Sequence, residues 1–374
     1  MILNMINKNG GSSRPTDATV TEVDVMSGKT ITGNDGVITG TAPFEYLGTE
    51  NGVDNYKVLE DEIPLVLPNN TKGILIYKDS IWNETPFFQS KSFAASSVCY
   101  GNGKFVVIDM SYGSAGYSED GKNWIGTNMP IKTNWYSVCY GNGKFVAVSN
   151  NSSTTSTVAW SEDGITWTAS AMPVAANWKS VCYGNGKFVS VPSKYRSAAY
   201  SEDGINWIET TIQYNVYEQV CYGNGKFVAV GYQSKNVVYS EDGITWTQVE
   251  LPLSANWNSV CYGDGKFVAI AYGNKNGAIS EDGITWTQIE LPVYDNWSSI
   301  CYDNGKFVAV VSGSKNAIYS EDGINWIMAP PMPLTLEWTS ICYGKGKFVV
   351  IPSNNVSTRI SLYISATNKE FRIL

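Results

Sequence analysis

One octapeptide constrains this chain more than any other feature. Cys-Tyr-Gly-Asn-Gly-Lys-Phe-Val recurs seven times with small changes, at Cys99, Cys139, Cys182, Cys221, Cys261, Cys301 and Cys342, with spacings of 40, 43, 39, 40, 40 and 41 residues. A second motif, Ser-Glu-Asp-Gly-x-x-Trp, follows each of the first six copies, beginning at Ser118, Ser161, Ser201, Ser240, Ser280 and Ser320. A weak copy at 365–371 follows the seventh. A period of this length marks one supersecondary unit that cannot bury its apolar face alone and must stack on copies of itself.

Each unit reads as four strands. In the fifth, 259–262 is a first strand, Gly263-Asp264-Gly265-Lys266 a turn, 267–270 a second strand, and Ile279-Ser280 the end of a third. Glu281-Asp282-Gly283 then turns the chain into a fourth strand that starts Ile284-Thr285-Trp286. Asn-Gly or Asp-Gly between apolar runs signals a hairpin whose two central residues both need positive φ. Six units carry that dipeptide and the last has Lys345-Gly346. The second strand is apolar at consecutive positions, as expected when both faces are covered. The expectation is an all-β chain: a seven-bladed β-propeller of four-stranded antiparallel blades, because a closed ring removes the exposed ends that a solenoid has to cap. The spacing from Trp82 to Phe93 equals that from Trp246 to Trp257. Residues 73–82 therefore read as an extra decayed hairpin that either closes the ring or packs outside it. The domain reading is 1–72, an N-terminal attachment segment, partly flexible; 73–92, the extra hairpin and connector; and 93–374, the propeller.

Ser-Glu-Asp-Gly-Ile-Thr-Trp resembles the Asp-box, or bacterial neuraminidase repeat, across roughly residues 73–374. The resemblance implies a propeller with the box in the turn between third and fourth strands. It does not imply an activity, since sialidases, lectins and non-enzymes share the box. This chain has one residue fewer between Asp and Gly than the commonest pattern. The residue types have structural reasons to be there: Asp can accept from the N–H groups of its own turn, Gly permits a left-handed backbone, and Trp is a large wedge with one N–H to place. Asp120, Asp163, Asp203, Asp242, Asp282 and Asp322, with Trp124, Trp167, Trp207, Trp246, Trp286 and Trp326, are therefore read as structural, because six copies cannot all be one active site.

Catalysis and cofactors find little support. The chain has no histidine, which removes the commonest general base and metal ligand. A sialidase needs an arginine triad, but the arginines are only Arg14, Arg196, Arg359 and Arg372. A glycosidase needing two carboxylates stays open, although within the repeats the acids other than Glu218, Asp295 and Glu337 fall mainly in the boxes. Gly-Asn-Gly-Lys lacks the rest of a phosphate loop. Seven cysteines at one equivalent position are not a disulfide framework, since strands in sheets packed about 10 Å apart exceed the bridging distance. No catalytic residue, metal or cofactor is assigned. A net charge of −8 speaks against a nucleic-acid partner, and no apolar stretch is long enough for membrane insertion. The start has no signal-peptide form.

Residues 1–72 differ in kind. Lys8 to Thr16 is Gly/Ser-rich, and Val37-Ile38-Thr39 and Tyr56-Lys57-Val58-Leu59 are too few strands for a sheet of their own. Asp24-Val25-Met26-Ser27-Gly28-Lys29-Thr30 followed by Gly36-Val37-Ile38-Thr39-Gly40-Thr41 resembles an element of tail and baseplate-associated proteins of phages infecting Gram-positive bacteria. That resemblance implies a virion or phage-tail-like particle, assembled in the bacterial cytoplasm, with other tail, baseplate or particle proteins as partners through residues 1–72. The expected function is non-enzymatic recognition of a bacterial surface glycan or protein. The alternatives are a purely architectural tail, baseplate or capsid-decorating component and, third, a glycan-cleaving enzyme. The turns at Gly-Asn-Gly-Lys and Ser-Glu-Asp-Gly share one face of a propeller and hardly vary. The loops of the other face differ among units, so that face is the expected ligand face, with Tyr112, Tyr195, Arg196, Tyr214, Tyr232, Tyr272 and Tyr294 as candidate binding residues.

Overall fold

The computed structural model describes residues 93–353, except 112 and 152–156, and gives backbone alone for 194, 214 and 215. It also describes the backbone of the strands Ile2–Ile6, Ile31–Gly33, Gly36–Ile38, Phe44–Glu50, Val53–Val58, Gly73–Tyr77, Trp82–Pro86, Ile360–Ser365 and Lys369–Ile373. Among the described residues there are strands and turns and no helix, so none that could cross a membrane. The chain divides into two compact units, one of residues 1–80 with 365–374, the other of residues 81–364.

The larger unit is built from the repeats. In the second repeat Trp135–Gly141, Lys144–Ser149, Thr157–Ser161 and Thr168–Ala171 form a four-stranded antiparallel sheet in sequence order. The turn after each first strand has positive φ at both central residues, from Asn102 (46°) and Gly103 (75°) to Lys345 (46°) and Gly346 (76°). Lysine in the last unit thus adopts the backbone that asparagine adopts in most of the others. The second strand carries the core: Phe267, Val268, Ala269 and Ile270 are all fully buried, one face against each neighbouring unit.

Neighbouring units are joined the same way each time. The hydroxyl two residues before each cysteine accepts from the backbone N–H next to the following unit's cysteine: Ser97 from Val138 (3.2 Å), Ser137 from Val181 (3.1 Å), Ser180 from Val220 (3.1 Å), Ser259 from Ile300 (3.0 Å) and Ser299 from Ile341 (3.3 Å). Gln219 Oε1 substitutes for it toward Val260 (2.9 Å). Ser340 of the last unit accepts from Val98 of the first (3.2 Å), so the series returns to its start. Core residues of the two ends pack together as well, Val349 and Ile351 with Phe93, Val98 and Phe105.

The closure differs from the expectation in its strands. The weak seventh box does not supply a fourth strand to the last unit: Lys369–Ile373 pairs with Gly73–Tyr77 and with Ile2–Ile6 instead. The fourth place is taken from the other end of the chain by Trp82–Pro86, paired antiparallel with Ile360–Ser365 from Ile360↔Pro86 to Ile364↔Trp82. Residues 73–82 are accordingly not a hairpin; Gly73–Tyr77 and Trp82–Pro86 each pair with a C-terminal strand. Pro86 fits this place, because Trp82–Pro86 is an edge strand and proline has no N–H to give a further ladder. The smaller unit holds a five-stranded sheet ordered Phe44–Glu50, Val53–Val58, Ile2–Ile6, Lys369–Ile373, Gly73–Tyr77. The strands within 1–72 were too few for a sheet on their own, and two from outside that segment complete it. The Gly/Ser-rich stretch and the Asp24–Thr30 motif lie outside the described residues.

Two connections expected as loops are strands. Lys187–Ser201 runs through second and third strand positions without a break, and its middle pairs with the connection to the next unit, Ser193↔Val216 and Tyr195↔Asn215. Lys266–Ser280 does the same, Tyr272↔Asn296 and Asn274↔Asp295. Bulges at each site absorb the mismatch in length between the two ribbons.

Candidate functional site

The Ser-Glu-Asp-Gly turns are closed on themselves. Asp282 Oδ1 accepts from Ile284 N (2.8 Å), Thr285 N (2.7 Å) and Ser280 Oγ (3.0 Å), while Ser280 Oγ accepts from Gly283 N (2.8 Å). The indole N–H of Trp286 donates to the carbonyl of Gly283 (3.3 Å), and its ring belongs to a core cluster that also holds Val228 and Val230 of the preceding unit. Asp120, Asp163, Asp203, Asp242 and Asp322 repeat the pattern. Where asparagine replaces threonine, as at Asn206, its amide also donates to the second carboxylate oxygen of Asp203 (2.8 Å). For Asp242 partial burial pushes the carboxyl pKa up, but the N–H groups of Thr245 and Ile244 and the Ser240 hydroxyl outweigh it and hold the carboxyl below its ordinary value. The net shift is downward, so its stabilisation is fully present above the unfolded value near 3.9 and disappears as pH falls through the lowered native value. Asp242→Ala is expected to cost about 0.5–2 kcal/mol at pH 7, by analogy with other capping side chains. The deficit relative to the parent should shrink below about pH 4. Thermal melts of both proteins across pH check this.

Each cysteine packs toward the following unit and none is bonded. Cys99 is buried and the other six are half-buried, all on first strands. Burial pushes all seven thiols up, away from the reactive thiolate form. Among the described residues no group of three or more Cys, Asp or Glu is placed to hold a metal ion.

A strongly asymmetric feature lies at the start of the first strands. In every unit the pairing of first and second strand slips by one residue just after the position of the tryptophan, as between Trp135 and Ser137. The extra residue of each bulge is Ser96, Tyr136, Lys179, Glu218, Asn258, Ser298 or Thr339. A bulge residue has no ladder partner, and bulges commonly re-aim a side chain. Here all seven line one cavity of about 230 Å³, at the end of the first strands opposite the Gly-Asn-Gly-Lys turns. The residues on either side of them are mostly the same from unit to unit, whereas the bulge residues are two serines, a threonine, a tyrosine, a lysine, a glutamate and an asparagine.

Two charged groups meet in that cavity. Lys179 Nζ lies 3.0 Å from a carboxylate oxygen of Glu218, both side chains 15% exposed, and 4.2 Å from the ring centre of Tyr136. Burial raises the Glu218 carboxyl above its ordinary value, and the lysine only partly opposes it. For Lys179 burial acts downward, but Tyr136 and Glu218 together leave its pKa raised, so the ammonium form is kept. Ser96 Oγ donates toward Trp135 O (2.8 Å) and Ser298 Oγ toward Val310 O (3.1 Å), and Asn258 donates to the Ser298 carbonyl (2.7 Å). Met110, Tyr272 and Ser312, from the ends of second strands, also line it.

Of the residues expected on this face, Tyr272 lines the cavity, 39% exposed. Tyr232, its equivalent one unit earlier, is 41% exposed and Tyr294 72%. Tyr195 is half-buried against the core around Trp178, and Arg196 is exposed; neither reaches the cavity. Tyr112 and the Tyr214 side chain lie outside the described residues. The sequence reading passed over the bulge residues, although Glu218 stood out among the acids that fall outside the boxes. Aligning the seven units with one another marks the position: in most it follows a tryptophan and precedes a serine, and it holds Tyr, Lys, Glu and Asn among small hydroxyls.

No protein-family model matches the chain, and no curated protein is similar to it. Solved structures are similar in fold. A catalytically inactive virginiamycin B lyase from Staphylococcus aureus with quinupristin is 9% identical, with a TM-score of 0.67 over 76% of this chain and 99% of that one. YCF48 bound to D1 peptide is 14% identical, with a TM-score of 0.60 over 81% and 100%. The WD40 β-propeller domain of Doa1 is also 14% identical, with a TM-score of 0.60 over 77% and 98%. The fold is that of a β-propeller.

Proposed function

We propose that this chain is a seven-bladed Asp-box β-propeller carried on a phage tail, baseplate or phage-tail-like particle, where it binds a bacterial surface glycan or protein without cleaving it. The observation that carries the reading is the contrast between the two faces. One face repeats the same two turns around the ring; on the other, seven bulges direct seven side chains, mostly different, into a single cavity. A uniform ring offers no unique pocket, whereas this face offers one. The seven repeated motifs, and the circle of hydrogen bonds from Ser97 round to Ser340, support the blade count. The resemblance of residues 24–41 to tail-associated proteins supports the particle setting, with attachment through residues 1–72.

A fold shared with an enzyme does not carry its chemistry. The inactive lyase is a histidine-to-alanine variant, and this chain has no histidine to supply the corresponding imidazole. The test uses the full chain, fluorescently labelled, on Gram-positive cells. Saturable binding that is lost when surface polysaccharide or protein is stripped is the expected result. Failure to capture any strain, with the chain still incorporated in its particle, overturns recognition in favour of architecture. Release of reducing sugar from purified walls overturns the non-enzymatic reading.

A further inference from the structure

We propose that the axial cavity holds a single uncharged, hydroxyl-rich sugar residue, with Tyr272 as its aromatic platform and the Lys179–Glu218 pair fixing its hydroxyls. This deepens the recognition reading and rests on it.

Charge selects the ligand class. Lys179 and Glu218 are the charged side chains lining the cavity, and they neutralise each other at 3.0 Å. The pair is already balanced, so an anionic or a cationic ligand would add a charge to the cavity that nothing there compensates. An uncompensated buried charge is strongly unfavourable. A neutral ligand can take up hydrogen-bonding positions that the pair leaves over, because an ammonium has three donors and a carboxylate about four acceptor sites.

Hydrogen-bond polarity narrows the class. The hydroxyls of Ser96, Ser298 and Thr339 donate to backbone carbonyls of their own or the following unit, and each has only one proton to give. Their oxygens therefore present lone pairs to the cavity. Asn258 likewise donates its amide to the Ser298 carbonyl and keeps its own carbonyl oxygen as an acceptor. These four side chains turn acceptors to the cavity, Lys179 supplies donors, and sugar hydroxyls do both. Tyr272, 39% exposed at the mouth, adds a flat apolar surface with a polar tip. The volume of about 230 Å³ is the space of on the order of eight waters. It is below the range of about 300–1,000 Å³ for drug-sized ligands, which suits one sugar residue rather than an oligosaccharide.

The test titrates the full chain with methyl glycosides of neutral hexoses, 6-deoxyhexoses and N-acetylhexosamines, and with methyl glucuronide and methyl glucosaminide, read by saturation-transfer NMR. At least one neutral glycoside is expected to bind with a dissociation constant on the order of 1 mM, and the charged pair at least tenfold more weakly. Tyr272→Ala is expected to weaken the neutral sugar at least tenfold without moving the melting temperature. Glu218→Gln, which leaves Lys179 without its counter-ion, is expected to gain binding of the glucuronide. If Glu218→Gln fails to fold, the exposed Tyr272 variant still decides the question. No binding of any neutral glycoside, charged sugars bound as well as neutral ones, or neutral binding indifferent to Tyr272→Ala overturns the proposal. Cell binding that saturating neutral glycoside does not displace overturns the sugar site and leaves cell recognition standing. Sugar binding without cell capture overturns the recognition reading alone.

Discussion

Removing residues 1–86 is expected to destabilise the propeller far more than removing residues 1–80, although the two truncations differ by six residues. Both discard the N-terminal strands of the smaller unit; only the longer one takes Trp82–Pro86, the outer strand of the last sheet. A five-residue strand contributes on the order of four or five ladder hydrogen bonds, each about 0.5–1.5 kcal/mol net. It also covers the edge of Ile360–Ser365, which would otherwise be open to pairing with another chain. The expected loss is about 3–6 kcal/mol, a fall in melting temperature on the order of 10 °C, with a rise in aggregation. Calorimetry and light scattering on the two truncations check it. Equal melting temperatures would mean that the ring closes without this strand, through the contacts between Ser340 and Val98 and around Phe93.

Gly184→Ala is expected to be among the most damaging additions of a single methyl group. A Cβ at Gly184 would lie 2.0 Å from Cγ of Tyr222 in the next unit, inside any permissible contact. Gly101, Gly141, Gly223 and Gly263 meet the following tyrosine in the same way, and Gly344 meets Tyr100 across the closure. The sixth unit has Asp303 at this position. There the following pair, Tyr343 and Phe348, crosses at 64°, against 53–57° for the corresponding pairs elsewhere. A side chain is thus accommodated by turning the tyrosine, which sets the expected cost of Gly184→Ala at about 1–3 kcal/mol, the usual range for overpacking. The reverse change, Asp303→Gly, should be close to neutral. Denaturant melts of both variants separate the readings, and an Asp303→Gly protein as damaged as Gly184→Ala would contradict the steric account.

Much of the fold was legible in the sequence because its determinants are local. Asn102-Gly103 and its copies need positive φ at both positions and therefore mark hairpins. Ser280, Asp282, Gly283 and Trp286 bond mainly to one another, so their meaning does not depend on the rest of the chain. Consecutive apolar residues at Phe267–Ile270 imply cover on both faces, and repetition implies that the cover is another copy. Tyr272 was readable as a binding candidate from its place on the face that varies.

The sequence by itself therefore determined the unit, its turns, its number of copies and the face that varies. Which strand completes the last sheet was decided by tertiary structure alone: the chain carries a weak box at 365–371, and only long-range pairing assigns the fourth place to Trp82–Pro86 and sends Lys369–Ile373 to another sheet. The axial site was decided the same way. Each bulge residue is unremarkable within its own unit, since a residue without a ladder partner is free to vary. Only closure of the ring brings Tyr136, Lys179, Glu218 and Asn258, spread over four units, into one cavity. Burial of the lysine and carboxylate together then makes their 3.0 Å contact matter, because charges removed from water interact far more strongly than the same charges on a solvated strand.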